Sequence, residues 1–304
     1  MRYVFGPVPS RRLGFSLGLD LTSRKICSLD CVYCQLGPTP YKTVARRQYV
    51  PIADVLRELK RTLQGKQRID FITLSGSGEP TLNSQIGPLI RVIKKVTDIP
   101  VAVLTNATLL TNPRVFAALL AADVVAPSLD AVSQTVFRKV NRPHESLKAA
   151  DMVKALVKFR RAYTGQIWLE ILFVKGLNDS PEEIARLVRQ VKRIRPDKVH
   201  LNTVVRPPAE AEARPVSKAF LNRVAKKFSP PAECIAEAHR ARQTKGTRVT
   251  AEQIVRMAKR RPVTLGDICD SLGLHRNEAL KIIDRLLSRR RLTSRIFRGQ
   301  RYYE

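Results

Sequence analysis

Three cysteines, Cys27, Cys31 and Cys34, fall within the stretch Ile26–Gly37 (ICSLDCVYCQLG) with the spacing C-x3-C-x2-C. Side chains this close along the chain can turn their thiolates toward one small object. A mononuclear zinc site wants four ligands, usually as two separated pairs, and no fourth ligand lies near the triplet. A cubane iron–sulfur cluster fits the spacing better. Three irons each take one thiolate and the fourth stays open. An open iron can chelate a small molecule, so such a cluster would be a reagent as well as a brace.

A scaffold must hold that loop, and its pattern is regular. Phe15–Leu21 reads as a first strand with the cysteine loop at its C-terminal end, whereas residues 3–14 read as loop, broken by two prolines and two glycines. Strands are expected at Ile69–Leu74, Val101–Leu104, Val124–Ser128, Ile167–Phe173 and Val199–Val204. Helices are expected between them at Ile52–Leu63, Gln85–Val96, Pro113–Ala122, Ser133–Lys139, Ser146–Arg161 and Ser180–Arg193. Strands alternating with helices of this length pair in parallel through right-handed crossovers. Six such units predict an α/β fold, a partial (β/α)6 TIM barrel open on one side. Chemistry in parallel barrels gathers at the C-terminal ends of the strands.

The motifs at those ends resemble the radical SAM superfamily. Tyr33 stands just before the last cysteine, and Gly76-Ser77-Gly78-Glu79-Pro80 is similar to the family's Gly-Gly-Glu-Pro turn. Leu104-Thr105-Asn106 and Ser128-Leu129-Asp130 end the following strands. The resemblance covers roughly residues 10–205. It implies a [4Fe-4S] cluster on Cys27, Cys31 and Cys34, with S-adenosyl-L-methionine (SAM) chelating the open iron. It further implies that Glu79, beside Gly76 and Gly78, faces the SAM ammonium, and that Thr105, Asn106, Ser128 and Asp130 face ribose or carboxylate. Tyr33 would contact adenine, with Ile171, Phe173, Leu201 and Asn202 completing the slot. An external electron donor is implied, and reductive cleavage of SAM would yield a 5′-deoxyadenosyl radical that takes hydrogen from a substrate. Two departures stand out: Ser77 interrupts the glycine pair, and Ala107 follows Asn106 where glycine is usual. Glu170 fits no family motif and reads as a partner for an interior Arg or Lys. Cys234 and Cys269 are too few for a second cluster and read, with His239, as packing or surface residues.

Composition bounds the rest. A chain of 304 residues with 44% hydrophobic and 27% charged residues reads as globular, and the N-terminus lacks the apolar core of a signal peptide. With no apolar run long enough to span a bilayer, no membrane association is expected, and cytoplasmic residence would keep the thiols reduced. The 55 Lys+Arg against 26 Asp+Glu give a formal net charge of +29. Such a field draws polyanions, although a basic surface alone names no partner. Arg11-Arg12, ahead of the first strand, could reach an anionic group or could be a solvated pair.

Proline-rich Val205–Ser217 ends the barrel rhythm, so the chain divides into a barrel (1–205), a linker with a helical extension including Lys218–Phe228 (206–246), and a small unit (247–304). In that unit Thr250-Ala251-Glu252-Gln253 opens a helix with capping-box spacing. A second short helix closes at Gly273, Arg276–Ser288 forms a third, and a hairpin ends the chain. This order is similar to a winged helix-turn-helix. Residues 240–304 hold 17 Lys+Arg and 6 Asp+Glu. Tyr302 and Tyr303 read as hairpin packing or as stacking platforms for bases. Three functions follow: hydrogen abstraction from a nucleic acid, RNA first; the same chemistry on a peptide or small metabolite; or a cluster-bearing DNA-binding regulator.

Overall fold

The structure is a computed structural model that describes residues 3–65, 67–236 and 250–304. Six parallel strands form the body of the sheet: β2 (Gly14–Leu19), β3 (Phe71–Leu74), β4 (Val101–Thr105), β5 (Val124–Pro127), β6 (Gln166–Phe173) and β7 (Lys198–Thr203). Helices α1 (Ile52–Leu63), α2 (Ile86–Val96), α3 (Pro113–Leu119), α4 (Gln134–Asn141), α5 (Ala149–Ala162) and α6 (Pro181–Ile194) connect them. Apolar spacing explains their seating. In α6, Ile184, Leu187, Val191 and Ile194 recur at three- and four-residue steps and are all buried. The main core lies between these helices and the outer face of the sheet.

Two edges differ from the sequence expectation. Residues expected as loop form β1 (Val4–Ser10), antiparallel to β2 and at one end of the sheet. Pro7 and Pro9 are tolerated because an edge strand needs only one ladder of hydrogen bonds. At the other end, Glu233–Cys234 is a short strand, β8, parallel to β7, inside the stretch expected as linker and helical extension. Cys234 is exposed there, whereas His239 lies outside the described residues. Helix α7 (Lys218–Ala225), which lies between β7 and β8 in the chain, packs against both strands.

The pleat assigns side chains to lumen or outer core. Leu13, Ala102, Val124, Ala126 and Trp168 form an apolar floor. On β6 and β7, Glu170 and Asn202 join polar groups of the lumen, and His200 sits edge-on to Trp168. Ile171, Phe173 and Leu201 belong instead to the core under the helices, and the Phe173 ring meets Phe220 of α7. Their side chains therefore pack in that core rather than in the lumen. Alternation with period two turns their side chains outward.

Residues 250–304 build a second core from α8 (Ala251–Arg260), α9 (Leu265–Leu272), α10 (Arg276–Ser288) and the hairpin β9 (Ser294–Phe297) and β10 (Gln300–Tyr303). Cys269 packs against that core, and Tyr302 and Tyr303 are buried. This unit reaches both sides of the barrel. Arg260 donates to Asp20 at 3.1 Å and lies 4.0 Å over the Phe5 ring on β1. Phe5 can pack there because its strand partner is Gly18, where a Cβ would lie 2.0 Å from the ring. Beyond β7, Arg206 pairs with Asp267 at 3.2 Å and the Tyr302 hydroxyl donates to Val205 O at 3.0 Å. Phe297 packs with Val32 and Tyr33 of the cysteine loop.

Candidate active site

The cysteine loop leaves the C-terminal end of β2 and is held from two sides. Val32 N–H donates to Val140 O and Asp30 N–H to Asn141 O, both at 3.0 Å, which ties the loop to the end of α4. On the other side Glu79 N–H donates to Ile26 O at 3.0 Å. Gly78 makes that approach possible, since a Cβ there would stand 2.0 Å from Ile26 O. Gly76 has φ +142°, and a Cβ on it would meet the Asp20 carboxyl. Ser77, which interrupts the glycine pair, donates its hydroxyl to Asp20 Oδ2 at 2.5 Å. Asp20 thus joins the β2 end, the glycine turn and, through Arg260, the C-terminal unit.

Glu79 is buried and fully engaged. Its Oε1 accepts from the Thr81 hydroxyl and the Thr105 hydroxyl at 2.6 Å each and from Thr81 N–H at 3.1 Å. Its Oε2 accepts from Asn106 N–H at 2.7 Å. Burial raises the carboxyl pKa and these donors oppose the rise. The geometry makes Glu79 a clamp between the ends of β3 and β4. Asn106 in turn directs its amide Nδ2 to Cys27 Sγ at 3.4 Å and to Ser28 Oγ at 2.9 Å. Ala107 adopts the left-handed conformation at φ 62°, which explains why glycine is favoured there.

Asp130 is the second hub. Its Oδ1 accepts from Leu172 N–H at 2.8 Å and its Oδ2 from Asn141 Nδ2 at 2.8 Å and from the Tyr33 hydroxyl. Asn141 Nδ2 also faces Cys31 Sγ at 3.4 Å. Ser128, with its N–H on Thr105 O at 2.9 Å, bridges β5 to Glu170 of β6. Glu170 pairs with Arg12, and Asn202 Nδ2 donates to its Oε1 at 2.8 Å. The Arg12 guanidinium holds the Glu170 pKa below the usual carboxylate range against the opposing effect of burial.

A [4Fe-4S] cluster suits these surroundings. Asn106 and Asn141 aim N–H donors at two of the sulfurs, the arrangement that steadies thiolate ligands. Burial pushes the Cys27 thiol up to about 12, so a thiolate there needs a cation. Lys25 Nζ is buried with no hydrogen-bond partner and acts to lower that same thiol, so it lacks the anion that a thiolate-held cluster would provide. Among the described residues no three His, Cys, Asp or Glu side chains are placed to hold a single metal ion.

A cavity of about 1300 Å³ opens beside these groups. It runs from Ser16 and Thr73 inside the barrel past Gly76 and Gly78 to Arg298 and Tyr302 of the hairpin. Of the residues expected to bind cofactor, Gly76 and Gly78 line it. Glu79, Thr105, Asn106, Asp130 and Tyr33 form the buried network behind the loop. Sequence reasoning missed Asp20, Lys25, Ser28 and Asn141. None carries a motif, and only the α4 end beside the loop singles out Asn141.

Comparison with known proteins follows the geometry. The sequence model of the Radical SAM superfamily matches residues 23–188. A protein of Brachyspira hyodysenteriae named GTPase Obg is 35% identical over 301 residues, 97% of this chain. The chain spans 44% of that relative's length. A UPF0026 protein of Methanocaldococcus jannaschii is 35% identical over 218 residues, covering 71% of this chain and 67% of the relative. A dual-specificity RNA methyltransferase RlmN of Oleidesulfovibrio alaskensis is 25% identical over 195 residues, 62% of this chain and 54% of the relative. Among solved structures, a radical SAM methyltransferase from Sphaerobacter thermophilus superposes with TM-score 0.54 at 17% identity, over 72% of this chain and 65% of that one.

Proposed function

This chain belongs to the radical SAM superfamily, and from that premise we propose that it abstracts hydrogen from a nucleic acid substrate, RNA foremost. The superfamily's cofactors are a [4Fe-4S] cluster and SAM, and the chemistry requires an electron donor. When bound and reduced, the cluster supplies the electron for reductive cleavage of SAM, from which hydrogen abstraction follows.

The rest is the work of this chain's residues. Cys27, Cys31 and Cys34 are assigned as cluster ligands, with Asn106 and Asn141 orienting two of the sulfurs by N–H donation. Gly76 and Gly78 expose backbone to the cavity where SAM would lie. Thr105, Ser128 and Asn202 stand at strand ends around the lumen, with Glu79, Asp130 and Tyr33 holding the walls in register. Leu201 contributes backbone only.

The single observation that carries the assignment is the convergence of side-chain amides on the Cys27 and Cys31 sulfurs beside the unpartnered Lys25 ammonium. The nucleic acid reading is supported by the net charge of +29, by the RNA-modifying relative and by α10. We read residues 247–304 as a winged helix-turn-helix whose third helix leaves Arg276, Lys281 and Arg285 exposed. Phe297 and Tyr302 of its hairpin meet the barrel, while α10, with Arg289 and Arg290 beyond it, and the hairpin's Arg295, Arg298 and Arg301 stay exposed as a basic surface for a polyanion. No helix among the described residues is long and apolar enough to cross a membrane, and cytoplasmic residence suits an oxygen-sensitive cluster.

The test is anaerobic reconstitution with iron and sulfide, then dithionite and SAM, with bulk RNA digested to nucleosides for mass spectrometry before and after. Release of 5′-deoxyadenosine with a mass change in one nucleoside is expected. Release without any change in RNA, and no salt-dependent retention on RNA, would transfer the chemistry to a peptide or small metabolite.

A further inference from the structure

The cavity changes character where the barrel meets the C-terminal unit. Arg11, from the turn between β1 and β2, Arg206, just beyond β7, and Arg261, just beyond α8, converge on its wall. Arg206 is the neighbouring charge that most lowers the pKa of both others, second only to burial. Arg11 falls to about 10 and Arg261 to about 9. Among the described residues Asp267 is the carboxylate in ion-pair contact with this group, through Arg206. Arg12, the next guanidinium, is neutralised by Glu170. Arg11 Nη1 spends its donors on neutral oxygens, Asn202 Oδ1 at 3.2 Å and Ile235 O at 2.9 Å. The Arg206 Nε is buried with no partner at all.

Three guanidiniums held together on one partly buried wall repel one another and lose hydration, a costly arrangement unless an anion joins them. The three cations and Asp267 leave a formal charge of about +2, which a phosphate group at neutral pH matches. Its tetrahedral oxygens can also accept from several directions at once, whereas a carboxylate offers one plane and half the charge. We propose that Arg11, Arg206 and Arg261 form a subsite for a phosphate group of the substrate, with Asp267 on the same wall beside Arg206. The subsite draws ligands from both barrel and C-terminal unit, so it is complete only while the two are docked. It rests on the proposed function, with the substrate reaching SAM through this same cavity.

The test uses the full-length chain without cofactor, titrated calorimetrically at constant ionic strength. The probes are pyrophosphate, adenosine 5′-monophosphate, the dinucleotide ApA and adenosine. Adenosine monophosphate is expected to bind and adenosine not. A preference for the monophosphate over ApA assigns a terminal phosphate, whose two charges match the site, and tighter binding of ApA, a monoanion, would overturn that charge match. Arg206→Gln and Arg261→Gln should each weaken binding roughly tenfold to a hundredfold. Asp267→Asn should tighten it, because a competing carboxylate is removed. On the unaltered protein, pyrophosphate should shield Arg206 and Arg261 from phenylglyoxal, a result independent of how the variants fold. Equal binding of adenosine and its monophosphate, or no shielding, would overturn the subsite. Retention of RNA on the same protein is scored separately. RNA binding without phosphate binding sinks the subsite and spares the RNA reading, and the converse does the opposite.

Discussion

Replacing Glu79 tests whether its carboxylate is a structural clamp or a cofactor contact. In the structure two oxygens satisfy four donors: Thr81 N–H, the Thr81 and Thr105 hydroxyls and Asn106 N–H. Glu79→Ala leaves all four without an acceptor in a site that is 3% exposed. Each orphaned buried donor costs ~1–3 kcal/mol, but hydroxyls can rotate and water can enter the space vacated, so about 4 kcal/mol overall is expected. That is a large share of the ~5–15 kcal/mol that holds a typical domain. Glu79→Gln keeps three donors on its carbonyl oxygen and turns an NH2 toward Asn106 N–H, costing ~1–3 kcal/mol for one orphan. Urea unfolding of the cofactor-free chain reads both numbers without interference from cluster or SAM. Asn106 also donates to Cys27 Sγ, so reconstituted Glu79→Gln should hold less iron than the parent. Unchanged urea midpoints for both variants, with weakened SAM binding, would refute the clamp and restore a direct contact.

Three further outcomes follow from the same geometry. Cys27→Ala, Cys31→Ala or Cys34→Ala should each abolish the visible absorbance of the reconstituted cluster, whereas Cys269→Ser, packed in the second core, should keep full iron content. Arg260→Gln removes the 3.1 Å contact to Asp20 and the stacking over Phe5. It should cost ~1–3 kcal/mol and hasten proteolytic release of the C-terminal unit. Burial, then Arg12, lowers the His200 pKa from 6.5 to about 4. The unfolded chain therefore takes up this proton first, and stability falls as pH drops from 6.5 toward 4. His200→Gln should flatten that dependence by up to ~3 kcal/mol, read as the difference between urea unfolding curves at the two ends of the window. An equal slope in the variant would show that other groups carry it.

Local signals sufficed for much of the fold. The six parallel strands and their helices follow from apolar spacing that each segment carries alone, and α10 begins and ends where its period does. The strand β1 was illegible because prolines at 7 and 9 look like loop, and only its place at the sheet edge makes them tolerable. Of the site, the cysteines and the motifs that follow them were legible because their chemistry constrains residue type and order.

What the sequence by itself determined is therefore the chemistry: three thiols in one loop, glycines beside an acid, and strands whose ends bring them together. The tertiary structure decided which way each side chain points and what it meets. It turned Ile171, Phe173 and Leu201 away from the lumen, engaged Glu79 with four donors, and brought Asn141, more than a hundred residues along the chain, to Cys31. It also set Arg11, Arg206 and Arg261 against one cavity wall. Spacing along the chain encodes local geometry, but contacts between distant segments arise only when the sheet curls and the C-terminal unit packs across its open side.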